Sequence, residues 1–447
     1  MSTPPFAGRR SLSATAERVR RARRVGLTFG RVYLGIKAHQ LIARRLRPPD
    51  MAERWSSFHR GSAESIYRTA IELHGLILKG CQLLGARGDV LPREYVEVLS
   101  RLQDRVPARP YRVVRRVVEA ELGAPLEAAF RAFEPRPIAS ASLAQVHEAR
   151  LRDGRRVAVK VQYPEVAAQV RGDLANLRAL FQAVGLLERE VDLMPLVDEL
   201  GAHLPRELDF VNEARNAELL AKRLSGRSDV VVPGIVWEHT TTRLLVMEFM
   251  EGIRIGDVEA LRCAGVDVDA VARSLVDLFA EQILGHGFFH ADPHPGNLFV
   301  QPEGPRLVLL DFGLAKALPP RFREGVFGFA SALFAGDAEA LARALADLGF
   351  ETREGGPRSL HRLAELVLGV TGELRERGAL DAELVERLRA DVLESVRLDP
   401  VVRISHRLVL VGRVLGLLSG LTRALDAEVD LFRALAPHLA AGPRPGP

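Results

Sequence analysis

The chain has 447 residues, 47% of them hydrophobic, with 62 basic and 57 acidic side chains. That is enough for two or three folded domains, and it excludes a chain that stays disordered throughout. The net charge of +5 conceals an asymmetry: residues 1–50 hold 12 Arg or Lys against only Glu17 and Asp50, while the remainder carries 50 basic against 55 acidic residues. Basicity is therefore a property of the N-terminal arm. Cys81 and Cys263 are the only cysteines; their separation argues against a disulfide framework or a structural zinc site and points to a reducing compartment.

Residues 1–60 are expected to form a basic arm, partly disordered or an amphipathic helix. Within it "VGLTFGRVYLGIKAHQLIARRLR" has helical apolar spacing with positive flanks. Such a segment suits an anionic membrane surface, and the plainer alternative is a solvated or internally packed helix. No aromatic interleaving or nucleic-acid motif accompanies the arginines, so nucleic acid is not an expected partner. Arg18, Arg20, Arg21, Arg23 and Arg24 interrupt any signal-peptide core. Near the other end, Arg407 and Arg413 cut "LVLVGRVLGLLSGL" short of the ~18 to 20 apolar residues that span a bilayer. The expectation is a cytoplasmic, peripherally membrane-associated chain with no signal peptide or transmembrane helix.

Residues 61–125 read as a helical extension broken at Gly85, Gly88 and Pro92. The period then changes. "LAQVHEARL" and "RRVAVKVQY" alternate like strands, and Asp153-Gly154 between them predicts a tight antiparallel hairpin. "VVVPGIVWEHTTTRLLVMEFMEG" supplies two further strands and "NLFVQPEGPRLVLLDFG" a last hairpin. The rest is helical, from Val268 to Gly285 and again from Arg323 onward, and the "GPRPGP" tail is expected to be disordered. A small antiparallel sheet in residues 126–252, followed by a helical lobe over 253–440 and a tail at 441–447, makes the fold α+β.

Phosphoryl transfer needs a cation on the nucleotide phosphates, an acid to hold that cation, ligands for magnesium and a group that orients the acceptor. Lys160 ends the strand "RVAVK", placed to reach α and β phosphates. "HADPHPGN" gives His290, Asp292 and Asn297 with the Asp-to-Asn spacing of the kinase catalytic loop. One loop then sets a carboxylate near the acceptor and turns an amide back to the metal. "LVLLDFG" puts Asp311 after a buried type of strand, where a carboxylate is costly unless it meets a cation. Each piece alone is a weak signal; the three in this order and separation are not. In "LLVMEFMEG" the backbone around Glu248 to Met250 would join the lobes and hydrogen-bond adenine, while Met247, Phe249 and Met250 also suit a core. His290 and His294 have no Cys or third His at ligand spacing, so structural roles are expected of both.

With these motifs, the sequence resembles the UbiB/AarF (ADCK) family of atypical kinase-like proteins from about residue 60 onward. The match rests on "KGCQ" (Lys79 to Gln82), "ASAS" (Ala139, Ser140, Ala141 and Ser142), Lys160, "ELDFVNEA" (Glu207 to Ala214), "HADPHPGN" and "DFG". The resemblance implies a protein kinase-like bilobal fold with an N-terminal helical extension. It implies that Lys160 is the nucleotide lysine with Glu213 as its partner acid, that Asp292 is the catalytic-loop carboxylate, and that Asn297 and Asp311 hold Mg2+. It further implies that Glu207 and Asp209 bind Lys79, with Gln82 beside it, locking the extension over the groove where a protein substrate would lie. ATP or ADP would be the nucleotide, and family members are tied to ubiquinone or menaquinone biosynthesis or related lipid metabolism. Quinone-biosynthesis proteins and isoprenoid lipid are the implied partners. The Ala/Ser loop replaces a glycine-rich one, implying altered nucleotide preference. Two positions depart from the family pattern: Ser140 stands where alanine is expected, and the extension reads Lys-Gly-Cys-Gln rather than Lys-x-Gly-Gln. No A-P-E segment follows Asp311-Phe312-Gly313. Two other readings compete: a small-molecule phosphotransferase, and a catalytically silent nucleotide-sensing, lipid-binding scaffold.

Overall fold

The computed structural model describes residues 7–46, 48, 50–85, 91–102, 108–187, 194, 197–198, 201, 208–352, 357–377, 401–403, 406–427, 429 and 431–442. The chain forms two compact units, Met1–Asn212 with Ile235–Phe249, and Glu213–Gly234 with Met250–Pro447.

In the first unit the basic arm is a helix, α1 (Ala7–Arg45), followed by α2 (Met51–Leu73), α3 (Gly75–Gly85) and α4 (Arg93–Leu99). Helix α2 runs without interruption through residues 60 and 61, where the arm was expected to end. The arm packs internally. Arg21, Val25 and Thr28 are buried, and Val25 shares one apolar core with Leu73, Leu76, Leu78, Leu99 and Leu102 of the extension. Arg21 is the pin: its Nη1 donates to the Leu73 carbonyl at 2.5 Å, and its guanidinium pairs with Asp173 of α7 (Val166–Leu187). A cation at the end of α2 meets the unpaired carbonyls and the negative end of the helix dipole. At the same elbow Gly75 turns the chain with φ 59°, and a Cβ there would stand 3.5 Å from Gln169 Oε1.

Beyond α5 (Tyr111–Leu122) and the short α6 (Leu126–Ala129), a five-stranded sheet follows the order β1-β3-β4-β6, with β2 beside β3. The strands are β1 (Phe130–Phe133), β2 (Ala139–Ser140), β3 (Ala144–Leu151), β4 (Arg156–Gln162) and β6 (Leu244–Glu248). All pairings are antiparallel, and β3 and β4 form the hairpin that Asp153-Gly154 predicts. Alternate residues Val157, Val159 and Val161 face a core with Val114, Val118 and Phe130, which fixes the register.

The second unit begins inside the helix Phe210–Arg223, and β5 (Val230–Val231) lies in its sheet rather than beside β6. A parallel ladder, Val230 to Leu307, is the reason. The sheet order is β5-β10-β9-β7, with β7 (Ile253–Arg254), and the expected last hairpin is β9 (Leu298–Gln301) against β10 (Arg306–Leu309). A separate pair joins β8 (Phe288–His290) to β11 (Ala315–Ala317). Helices Val268–Ala280, Pro320–Ala335, Ala338–Asp347, Pro357–Arg377, His406–Ala424 and Leu431–Ala441 make this unit mostly helical. Among the described residues no helix is long and apolar enough to cross a membrane. Residues 443–447 of the expected tail lie outside the described residues.

Candidate active site

The expected site residues divide between the units. In the first, the "ASAS" loop is a closed turn. Ser140 pairs with Gln145 across the β2 to β3 ladder, and the Ala141 amide donates to the Ala144 carbonyl at 2.8 Å. Leu143, at the tip, packs into the core of the helical extension beside Tyr163 and Val166, and its carbonyl accepts the Tyr163 amide at 3.0 Å. The Ser140 hydroxyl lies 3.0 Å from the Tyr163 hydroxyl. The departure at Ser140 is therefore taken up by a protein partner, and one loop amide is spent on the turn.

Behind the loop runs a polar chain. Arg109 exchanges two backbone bonds with the Gln145 amide, 2.7 Å and 3.3 Å; Gln145 Nε2 meets His147 Nε2 at 2.9 Å; and His147 Nδ1 donates to the Glu134 carbonyl at 2.7 Å. The Arg109 guanidinium lies 5.4 Å from the centre of the Tyr163 ring. Lys160 stands on β4 between Val146 and Leu245, its Nζ 5.3 Å from the centre of the Phe210 ring. Glu248 ends β6 in an exposed position, and the next amide, Phe249, donates to Arg156 O at 3.2 Å.

In the extension, Lys79 is half-buried on α3 and Gln82 Nε2 donates to the Leu102 carbonyl at 2.8 Å. Lys-Gly-Cys-Gln leaves α3 an ordinary helix: a Cβ at Gly80 would meet nothing within 4 Å, and Cys81 fills the core. Burial pushes the Cys81 thiol up to about 12. Asp209 Oδ1 accepts the Val211 amide at 3.0 Å at the start of the helix Phe210–Arg223. Glu207 lies outside the described residues.

The second unit holds Glu213, Met250, Asp292, Asn297 and Asp311, and four of these are drawn together by the backbone; Met250 starts the segment after β6. His290 ends β8, buried, with its amide on Gln282 Oε1 at 2.9 Å. Gln282 reaches it from a π-helical turn, Glu281–His286, a local widening of the helix of a kind frequent at functional sites. His290 Nε2 donates to the Leu310 carbonyl at 2.9 Å and Nδ1 accepts the Asp292 amide at 3.3 Å. His294 Nδ1 accepts Gly296 N at 3.1 Å and caps the turn Pro295–Asn297. Both histidines thus serve the loop's shape.

Asn297 Nδ2 donates to the Asp292 carbonyl at 3.3 Å, and the Leu310 amide donates to the Asn297 carbonyl at 2.9 Å. These bonds tie the "HADPHPGN" loop to the strand that delivers Asp311. Asp311 adopts φ 61°, a left-handed conformation that Asp and Asn tolerate better than other side chains, and its Oδ1 accepts the Gly313 amide at 3.3 Å. A Cβ on Gly313 would lie 3.4 Å from Asp311 Oδ1 and 3.8 Å from Glu213 Oε2. Both carboxylates therefore lie within van der Waals reach of one point on the chain at Gly313. Asn216 Nδ2 holds the Phe312 carbonyl at 3.0 Å.

Among the described residues no three His, Cys, Asp or Glu side chains cluster as a metal cage. The donors present fit magnesium, which takes hard oxygens from one or two protein groups and completes its shell with water and substrate phosphate. Asn297, its amide nitrogen engaged, keeps a carbonyl oxygen for that purpose, and Asp311 adds a carboxylate.

Sequence reasoning missed one group. Arg413, on the helix His406–Ala424, donates from Nη2 to Asp292 Oδ1 at 2.7 Å. In the sequence it only interrupts an apolar run. The usable signal was a lone cation on the inward side of a helix, with Val411 and Val414 buried on either side of it.

An antiparallel sheet carrying a lysine, and a mostly helical unit carrying a D-x-x-x-x-N loop and D-F-G, define a kinase-like α+β fold. Residues 101–345, more than half of the chain, match the model of the ABC1 atypical kinase-like domain. The chain belongs to that family. It is 41% identical over 288 residues to AarF domain-containing protein kinase 1 of Xenopus tropicalis, covering 64% of this chain and 55% of that protein. It is 34% identical over 406 residues to the chloroplastic protein ACTIVITY OF BC1 COMPLEX KINASE 8 of Arabidopsis thaliana, covering 84% and 53%. The chain spans about half the length of these curated relatives. Among solved structures, the complex of Rv3197 with erythromycin from Mycobacterium tuberculosis shares the fold, with a TM-score of 0.57 at 24% identity, covering 86% of this chain and 97% of that one.

Proposed function

We propose that this chain is an ATP-binding, magnesium-dependent atypical kinase or ATPase that acts at a membrane surface in support of isoprenoid-quinone or related lipid biosynthesis. The observation that supports the reading is the bonded unit Asp292–Asn297–Leu310–Asp311, in which the carboxylate read as acceptor-side and the two oxygens read as metal-side are tied together through the backbone. Lys160 binds the nucleotide phosphates, with Glu213 as its acid. Asn297 and Asp311 hold magnesium, which when bound neutralises charge on the β and γ phosphates. Asp292 orients the acceptor hydroxyl or water and takes its proton. Backbone around Glu248 to Met250 receives adenine, and Ala139 to Ser142 cover the phosphates. Lys79 and Gln82, with Glu207 and Asp209, hold the extension in place.

A protein acceptor is not expected, because only a few residues separate Gly313 from the helix Pro320–Ala335, with β11 between them, and leave no room for a substrate-binding activation segment. Membrane contact is supported by α1. Of the nine large apolar side chains exposed among the described residues, five lie on or just after it: Val19, Leu27, Leu34, Leu41 and Leu46. Arg23, Arg31, Arg44 and Arg45 are exposed among them, and cations interleaved with leucines suit an anionic interface.

The test is nucleotide hydrolysis with magnesium by purified protein, with and without anionic liposomes, beside Lys160→Ala and Asp311→Asn. Asparagine keeps the left-handed backbone at 311 and removes only the charge. Turnover that rises with liposomes and falls at least about 100-fold in both variants supports the proposal. Equal turnover in wild type and Asp311→Asn refutes it.

A further inference from the structure

The loop that carries Asp292 has no positive charge of its own. From His290 to Asn297 it contains no lysine or arginine, and its one candidate cation after the carboxylate, His294, spends Nδ1 on Gly296. Phosphoryl transfer spreads negative charge over three equatorial oxygens, and a site that orients an acceptor with a carboxylate adds another negative group beside them. Some cation must offset both. On the metal side magnesium, held by Asn297 and Asp311, would do so; the acceptor side of the loop has no Lys or Arg within its own sequence.

The fold brings one in from 121 residues away: Arg413 Nη2 sits 2.7 Å from Asp292 Oδ1, with the two side chains only 24% and 20% exposed. The contact engages a single carboxylate oxygen, so Oδ2 keeps its lone pairs for an acceptor hydroxyl or water. Arg413 Nε is buried and has no hydrogen-bond partner, so a donor of the guanidinium remains available. The neighbours Val411, Val414 and Leu418 hold the backbone of this helix against the unit through apolar contact, so the guanidinium is not needed for its docking. A planar fork with five donors can also keep Asp292 and reach a second oxygen at once, as an ammonium cannot.

We propose that Arg413 is the positioning cation of phosphoryl transfer: it orients Asp292 through Oδ1 and supplies, from the C-terminal helix, the positive charge that the catalytic loop lacks. This rests on the assignment of Asp292 made above. In the step itself the acceptor oxygen forms the new O–P bond, the bond from the γ phosphorus to the bridging oxygen of ADP breaks, and the acceptor proton passes to Asp292. Arg413 stays charged throughout.

The experiment uses the full-length chain. For wild type, Arg413→Ala, Arg413→Lys and Asp292→Asn, it measures kcat and KM for magnesium ATP, ADP affinity, and retention of ADP in the presence of magnesium and aluminium fluoride, a planar mimic of the transferred group. Arg413→Ala is expected to lower kcat about 100-fold with KM and ADP affinity within about twofold, to lose aluminium fluoride-dependent retention, and to regain part of kcat with added guanidinium. Arg413→Lys is expected to fall between. A wild-type kcat in Arg413→Ala while Asp292→Asn is inactive overturns this inference and leaves the functional reading intact. An unchanged Asp292→Asn overturns the assignment of Asp292 and the inference with it. Loss of ADP affinity in Arg413→Ala with no guanidinium rescue assigns the residue to folding and overturns the proposal. If wild type shows neither turnover nor aluminium fluoride-dependent retention, both readings fall.

Discussion

The Ala139–Ser142 loop of the first unit and the His290–Asn297 loop of the second are fixed by opposite means. The first is held by backbone bonds to β3 and Tyr163, and its tip is pinned by an apolar side chain, Leu143, in the core of the helical extension. The second is a run of directional bonds through Gln282, His290, Leu310, Asn297 and Asp292. Apolar anchoring is non-directional and tolerates repacking, whereas a buried polar network sets orientation closely and leaves costly unpaired groups when one member is lost. A loop that only has to cover a ligand can be held the first way. A loop that has to aim a carboxylate needs the second.

The largest break in this comparison should come from His290→Leu. The Leu310 carbonyl and the Asp292 amide both lose their partner, at about 1–3 kcal/mol each, and a thermal melt should report a loss of about 2–5 kcal/mol together with a collapse of turnover. Stability within 1 kcal/mol of wild type would mean that the network is not what sets the loop. Leu143→Ala comes next. It removes a buried anchor at a site with some freedom to collapse, so about 2–3 kcal/mol is expected, and nucleotide affinity should change while an intact second unit keeps the acid and metal groups in place. If nucleotide affinity is untouched, the loop does not depend on the extension for its position.

The one polar chain behind the first loop gives a pH signature. Burial holds the His147 imidazole below its ordinary value of 6.5, against the opposing pull of the Glu134 carbonyl. The geometry agrees, since Nδ1 donates to that carbonyl and Nε2 faces the Gln145 amide, so a second proton would set donor against donor. Below about pH 6.5 the unfolded chain binds more protons at this residue than the folded one, so its contribution is full above that pH and is lost as pH falls toward the depressed folded value. His59 and His74 are lowered by burial as well and act in the same direction. Urea melts from pH 7.5 to 5.5 should therefore show falling stability in wild type and a shallower slope in His147→Asn. Equal slopes would place the sensitivity on the other two histidines.

What the sequence made legible follows the same division. Asp292, Asn297 and Asp311 are readable because the chemistry proposed for them demands fixed types at fixed spacing along one stretch of chain, and the β3–β4 hairpin is readable because Asp153-Gly154 and the alternating valines encode it locally. Arg21 and Arg413 are not. Each looks like a surface charge in the linear text, and each acquires its role only from a partner more than a hundred residues away, Asp173 or Asp292. Leu143 is silent for the same reason: nothing local distinguishes a loop leucine that is buried by the extension from one that faces solvent. The placement of β5 in the second sheet likewise depends on a parallel ladder that no hairpin signal announces.

The smallest effect sharpens the comparison most. Ser140 is the departure from the alanine expected in the loop, and its hydroxyl lies 3.0 Å from that of Tyr163, whose phenol is pushed up by burial and partly brought back by this same bond. Removing it in Ser140→Ala should cost about 1 kcal/mol or less, because the pair is neutral and only Tyr163 is buried. A double-mutant cycle with Tyr163→Phe separates two accounts. A coupling of about 0.5–1 kcal/mol in stability, with nucleotide affinity unchanged, means that the hydroxyl belongs to the loop's own fastening. Additive stabilities with altered nucleotide affinity mean that it turns to the phosphates instead, and then the first loop, like the second, would use a directional polar group for its chemistry.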